Sequence, residues 1–129
     1  MNATPSWPNF TLAEFACRCG CGHNLIEPNF VDMLQLLRSE VGRPFIITSG
    51  YRCLDHPLEV VKQKPGAHTL GVAADIYCGP TLCREILRHT LRHPAITGIG
   101  ISQKPRKRFI HLDMAASVPL RPRPALWTY

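Results

Sequence analysis

Two short stretches hold the residue types best suited to metal chemistry. The first runs from His68 to Asp75 and brings an imidazole and a carboxylate; the second, Phe109 to Asp113, brings His111 and, two positions on, Asp113. Zinc takes nitrogen and oxygen donors in tetrahedral geometry, and a catalytic site stops at three protein ligands so that water fills the fourth position. Two histidines and one aspartate meet that count. They leave the ion with net positive charge, electrophilic enough to acidify water and polarise a carbonyl.

Such residues need strands to aim them and a core to hold the strands. Asn9 or Thr11 is placed to cap a short helix through Leu12, Phe15 and Ala16, ahead of a cluster of cysteines and glycines. From Pro28, apolar residues Phe30, Met33, Leu34, Leu37 and Val41 recur at three- and four-residue intervals until Gly42, which predicts an amphipathic helix. Phe45 to Thr48 is a short β-branched run that reads as a core strand delivering Ser49, Gly50, Tyr51 and Arg52 to its end. Residues 53–67 are irregular and polar, broken by Pro57 and Pro65, and suit a cleft wall. Ala73 to Cys78 reads as a strand. Pro80 to Arg92 reads as a second amphipathic helix with Leu82, Ile86, Leu87 and Leu91 inward. Ile99–Ile101 and Phe109–Met114 read as a hairpin whose second strand puts Phe109, His111 and Asp113 on one face, Ile110 and Leu112 on the other. That alternation sets Asp113 beside His111 over the cleft. The sum is an α+β fold: one domain over residues 1–129, a small antiparallel sheet with packed helices, its core at about 10–114 and an extended or loose, basic, proline-rich tail at 115–129.

Composition agrees with one compact soluble domain: 129 residues, 45% apolar and 19% charged. No apolar run approaches the ~20 residues of a bilayer span, and the first residues show no secretory signal pattern. The formal charge of +6 gathers in Lys104, Arg106, Lys107 and Arg108 and in Arg121 and Arg123. No aromatic stacking platform or recognised nucleic-acid motif accompanies these cations, so no nucleic-acid partner is expected. They suit an anionic partner surface, or serve simply as solvated charge.

The order and spacing of several motifs carry a resemblance. The chain resembles the zinc D-alanyl-D-alanine carboxypeptidase and murein endopeptidase family, which shares its fold with hedgehog signalling domains. The likeness rests on Ser49-Gly50-Tyr51-Arg52, on Gly66-Ala67-His68 leading to Gly71 and Asp75, on Gly98-Ile99-Gly100-Ile101, and on His111-Leu112-Asp113. It implies a hedgehog-like peptidase fold with zinc held by His68, Asp75 and His111. Arg52 would hold the substrate's carboxylate or a developing oxyanion, with Ser49 and Tyr51 as substrate-binding neighbours, and Arg52 is expected to do so without supporting the fold. The substrate would be a peptidoglycan peptide, the context a phage or prophage lysin acting on the wall or carried on a virion, and the molecule a monomer.

A zinc peptidase also needs a general base. Many relatives place a carboxylate three residues before the last histidine ligand, where this chain has Arg108, which cannot act as a base near neutrality. Asp113 is the first substitute, with Glu59, Asp55 and His56 in reserve. Where relatives often carry a serine two residues before the first histidine, this chain has Gly66. Arg108 also favours a competing reading: a wall-binding module of a phage particle that keeps its zinc and has lost turnover.

Six cysteines are many for this length. Cys17, Cys19 and Cys21 would share one face of an extended segment, and with His23 they could make a second, all-protein zinc site. Their spacing is shorter than usual in such sites, which favours disulfides or reduced thiols over a metal, and the sequence does not decide the pairing.

Overall fold

The computed structural model describes residues 5–129 apart from Gln63, so the reading of Met1–Thr4 lies outside the described residues. Helix α1 (Pro28–Val41) starts with proline, whose fixed φ suits a first helical turn and whose missing N–H would be unpaired there anyway. It ends at Gly42. Phe30, Val31, Leu34 and Leu37 are fully buried, each worth about 2 kcal/mol of apolar burial. After a one-turn helix α2 (Pro57–Val60), helix α3 (Pro80–Thr90) packs beside α1 and buries Cys83, Ile86 and Thr90. Leu82 and Leu87 are partly buried. Leu91, expected inward, is exposed because the helix stops one residue earlier and Thr90 takes the inward position.

Strands β1 (Ile46–Ser49), β2 (Ala73–Tyr77), β3 (Gly98–Lys104), β4 (Lys107–Asp113) and β5 (Ala125–Thr128) form one sheet in the order β1-β2-β4-β3-β5. All pairs are antiparallel except β3 with β5. The architecture is α+β. Strand alternation divides the sheet: Ala74, Ile76, Ile99, Ile110 and Leu112 join Phe30, Leu34 and Ile86 in the main core. Asp75, His111 and Asp113 project from the opposite face.

One segment differs from expectation and another takes one of the two forms expected. The stretch after Arg52 is not wholly irregular, since Pro57 opens α2 instead of breaking it, with the His56 Nδ1 accepting the Leu58 N–H. The tail, expected to be extended or loose, ends in extended chain. Its prolines stop before residue 125, which frees Ala125–Thr128 to donate and accept along the edge of β3.

Candidate metal centre and its cleft

Register brings the site together. Asp75 on β2 pairs with His111 on β4, and Ser49 at the end of β1 pairs with Asp75, so adjacent strands deliver residues far apart in sequence to one spot. His68 arrives separately, from a 3-10 turn (Ala67–Leu70) just before β2. All three of His68, Asp75 and His111 are buried, and one donor atom from each lies within 4.8 Å of the others.

Hydrogen bonds decide which ring nitrogen faces inward. His68 Nδ1 lies 2.7 Å from the Gly50 carbonyl oxygen, an obligate acceptor, so Nδ1 holds the proton and Nε2 keeps its lone pair, 3.3 Å from Asp75 Oδ1. His111 Nε2 lies 2.7 Å from Asp113 Oδ2, which leaves Nδ1 to face Asp75 Oδ1 at 3.0 Å. With both rings neutral, three electron-rich atoms converge, an arrangement that needs a cation at its centre. The donor set of two imidazole nitrogens and one carboxylate oxygen fits zinc. Burial pushes the His111 imidazole down, but the Asp113 and Asp75 carboxylates outweigh it and hold the group above the ordinary histidine value. Burial lowers His68; Asp75 is held below the usual carboxylate range because the His111 and His68 rings beside it favour its charged form by more than burial disfavours it.

Asp113 shares the strand face of His111 as expected, but it does not stand over the cleft. It is fully buried behind the ring, where the Arg123 guanidinium donates to both oxygens (3.0 and 2.8 Å) and the Ala115 N–H donates to Oδ1. Burial raises its pKa, yet the bonds from His111 and Arg123 prevail and hold it low. The two glycines of the Gly98-Ile99-Gly100 motif make room for this layer. A Cβ on Gly98 would collide with the Asp113 carboxylate, and one on Gly100 with the indole of Trp127. Trp127 lies over His111, ring centroids 5.2 Å apart, and Arg123 lies over Trp127. The basic tail is therefore part of the site's support, a role its composition does not announce.

Arg52 is tied on three sides. Nε donates to Ser49 Oγ at 3.1 Å, Nη1 pairs with Glu59 at 3.0 Å and Nη2 with Asp75 at 3.5 Å. The expectation that Arg52 plays no part in the fold is thus corrected, since it neutralises Glu59, whose side chain is fully buried. Burial pushes the Glu59 carboxyl up, but hydrogen bonds from Lys62, the Gly66 N–H and Arg52 bring it down to about 2. Gly66 joins the same group through its backbone, the N–H donating to Glu59 Oε1 at 2.8 Å.

The site opens into a cleft of about 900 Å³. Ser49, Tyr51, Arg52 and His56 line it, as do nine cations: Arg18, Arg52, Lys62, Lys64, Arg106, Lys107, Arg108, Arg121 and Arg123. Among the described residues Asp75 is the single carboxylate on its walls. Glu59 and Asp55 do not reach it. His56 does, and burial together with the charge of Arg52 lowers its pKa. Because its Nδ1 accepts the Leu58 N–H, the neutral ring presents Nε2–H to the cleft, a donor and not an acceptor. No helix among the described residues is long and apolar enough to cross a membrane.

Residues 8–113 match the family model described as Peptidase M15. No curated protein matches the chain.

Proposed function

Because the chain belongs to the peptidase M15 family, we propose that it is a zinc-dependent hydrolase of amide bonds in the peptide part of peptidoglycan, stem or cross-link. The observation that carries this reading is the convergence of His68 Nε2, Asp75 Oδ1 and His111 Nδ1 beneath a cleft lined by nine cations and one carboxylate. A peptide rich in free carboxylates matches that charge. The cleft volume, near the upper end for ligand sites, favours a branched peptide and hence endopeptidase action. The basic walls suit an anionic cell wall, the setting of a phage or prophage lysin.

The residues divide the work. His68, Asp75 and His111 would hold the zinc, which when bound supplies Lewis acidity toward the scissile carbonyl and lowers the pKa of water. Arg52, its planar fork fixed by Ser49, Glu59 and Asp75, presents a set positive charge to a substrate carboxylate or to the oxyanion that develops on the carbonyl. Ser49 contributes by aiming Arg52, and Tyr51 forms wall. Asp113 acts through His111, fixing its tautomer and ring plane. His56, neutral with its proton on Nε2, can donate a hydrogen bond to substrate in the cleft but has no proton to give up.

A second reading is favoured by one specific observation. Arg108 lines the cleft where relatives carry a carboxylate, and no carboxylate other than Asp75 faces it among the described residues. A wall-binding module without turnover would look this way. Digestion of purified peptidoglycan, followed by mass spectrometry of the released fragments, separates the two. Zinc-dependent release that a chelator stops and zinc restores supports the hydrolase, and the fragment masses name the bond. Sedimentation with the wall and no fragments at any zinc concentration supports the binder.

A further inference from the structure

A second convergence of donor atoms lies away from the cleft. Cys17, Cys19, Cys21 and Cys53 each place a sulfur within 4.8 Å of the other three. The Cys17–Cys19 and Cys19–Cys53 sulfur separations are 3.5 and 3.4 Å. A disulfide would need about 2.05 Å. A tetrahedral site with Zn–S near 2.3 Å has sulfur edges of about 3.8 Å, close to what the thiols show.

The local chain is shaped to produce this. Gly20 and Gly22 take positive φ, 103° and 74°, a region that side chains rarely enter, and the chain curls so that three alternate cysteines turn toward one point. Two backbone N–H groups aim at sulfur: Cys53 N to Cys17 Sγ and His23 N to Cys21 Sγ, both 3.3 Å. Such N–H groups favour sulfur that carries negative charge. Apolar packing does not account for the cluster, since Cys19 and Cys21 are exposed while Cys17 and Cys53 are buried. His23, the fourth donor considered from sequence, gives only its backbone, and Cys53 supplies the fourth sulfur instead.

We propose that Cys17, Cys19, Cys21 and Cys53 hold a structural zinc ion that pins the segment carrying Arg52 to the loop after Phe15. Four thiolates close the coordination shell and leave no position for substrate, which assigns the ion to architecture and not to turnover. The consequence for the cleft follows from chain connectivity. Cys53 is the next residue after Arg52, the Tyr51 N–H donates to the Phe15 carbonyl at 2.8 Å, and the Gly50 carbonyl orients His68. The ion therefore braces from behind the turn that aims both Arg52 and the first imidazole.

The test uses the full-length His68→Ala/His111→Ala chain, which removes the imidazoles of the other centre and so reads this site whatever the fate of the peptidase reading. Titration with cobalt(II) in reducing buffer should fill one site per chain, with thiolate-to-cobalt charge-transfer absorption and the intense visible bands of tetrahedral sulfur ligation, and zinc should displace it. Cys21→Ser, at an exposed position, should weaken binding by more than the roughly 10–100-fold that follows loss of a partner one bond further from a metal. Absence of the charge-transfer band, or an equal band in Cys21→Ser, overturns the proposal. Alkylation of the unaltered protein gives a second measure that no folding defect can blur. Zinc should shield Cys19 and Cys21 by about ten-fold or more relative to chelator-treated protein, with the buried Cys78 and Cys83 reporting any global opening. Exposed thiols that alkylate equally fast with and without zinc, or a disulfide within the four in zinc-loaded protein, also overturn it.

Discussion

The His68–Asp75–His111 centre and the four-cysteine cluster differ in how they are built. Strand pairing sets most of the first: Asp75 and His111 sit opposite each other on β2 and β4, and each imidazole has its outer nitrogen fixed by a carbonyl or a carboxylate. The second has no sheet beneath its first three members and depends on a glycine-rich curl meeting the residue after Arg52. One faces a cleft of about 900 Å³ and mixes nitrogen with oxygen; the other offers sulfur alone. The contrast is between a centre that opens on a cleft, which we propose for chemistry, and one closed by sulfur, which we propose for support, and each substitution below should strike one side of it.

The largest effect is expected from His111→Ala. It removes a donor and the ring that Asp113 and Trp127 orient. Turnover should fall by about a thousand-fold or more, equal to the several kcal/mol of charge stabilisation a metal supplies. Metal analysis should show one equivalent lost while the cysteine site stays filled. Retained turnover would end the assignment of the first centre.

Asp113→Asn tests whether this carboxylate is a base or a support. The structure places it behind His111 under Arg123, so zinc affinity of the first centre should weaken about 10–100-fold, while turnover at saturating zinc stays near that of the unaltered protein. A fall of about 100-fold at full zinc occupancy would instead restore Asp113 as the proton acceptor. The melting temperature should drop as well, because Arg123 loses its buried counter-charge.

These two positions also show what the sequence discloses. The alternation of Phe109, Ile110, His111, Leu112 and Asp113 is strictly local, and so the face carrying His111 is readable from it. Asp75 follows in the same way once Ala73–Tyr77 is taken as a strand. Arg123 and Trp127 are not readable. Their partners lie across strands whose pairing depends on the whole chain, and the prolines around Arg123 mimic a loose tail. Cys53 escapes for the same reason, since it closes the cluster with Cys17 across 36 residues of chain. The one signal that could have found Trp127 is Gly100, a strand glycine opposite His111 that leaves room for something large.

Arg52→Lys carries a smaller expected effect and binds the two regions together. Lysine keeps the charge but cannot donate at once to Ser49, Glu59 and Asp75 in the planar arrangement seen here. kcat/KM should fall about ten-fold, which corresponds to about 1.4 kcal/mol. Because the guanidinium also neutralises a buried carboxylate, the melting temperature should fall too, by about 4 °C for each kcal/mol lost. Full activity in steady-state assays would remove Arg52 from substrate contact.

The mildest effect is the acid limb set by Glu59. Its carboxyl titrates at about 2 in the folded chain against about 4.3 when unfolded, a depressed value. Between those values the unfolded chain binds more protons, so stability rises with pH there. The contribution of Glu59 is complete above the unfolded value and disappears as pH falls through about 2. Glu59→Gln removes the charge that Arg52 and Lys62 share, so it should melt below the unaltered protein at pH 6. The gap should begin to narrow below about pH 4.3 and close only below about pH 2, where the Glu59 carboxyl is neutral in both the folded and the unfolded chain. Melting curves over that range check it, and a gap independent of pH would mean that Glu59 matters for its shape and hydrogen bond to Gly66, not for the charge that holds Arg52 in line.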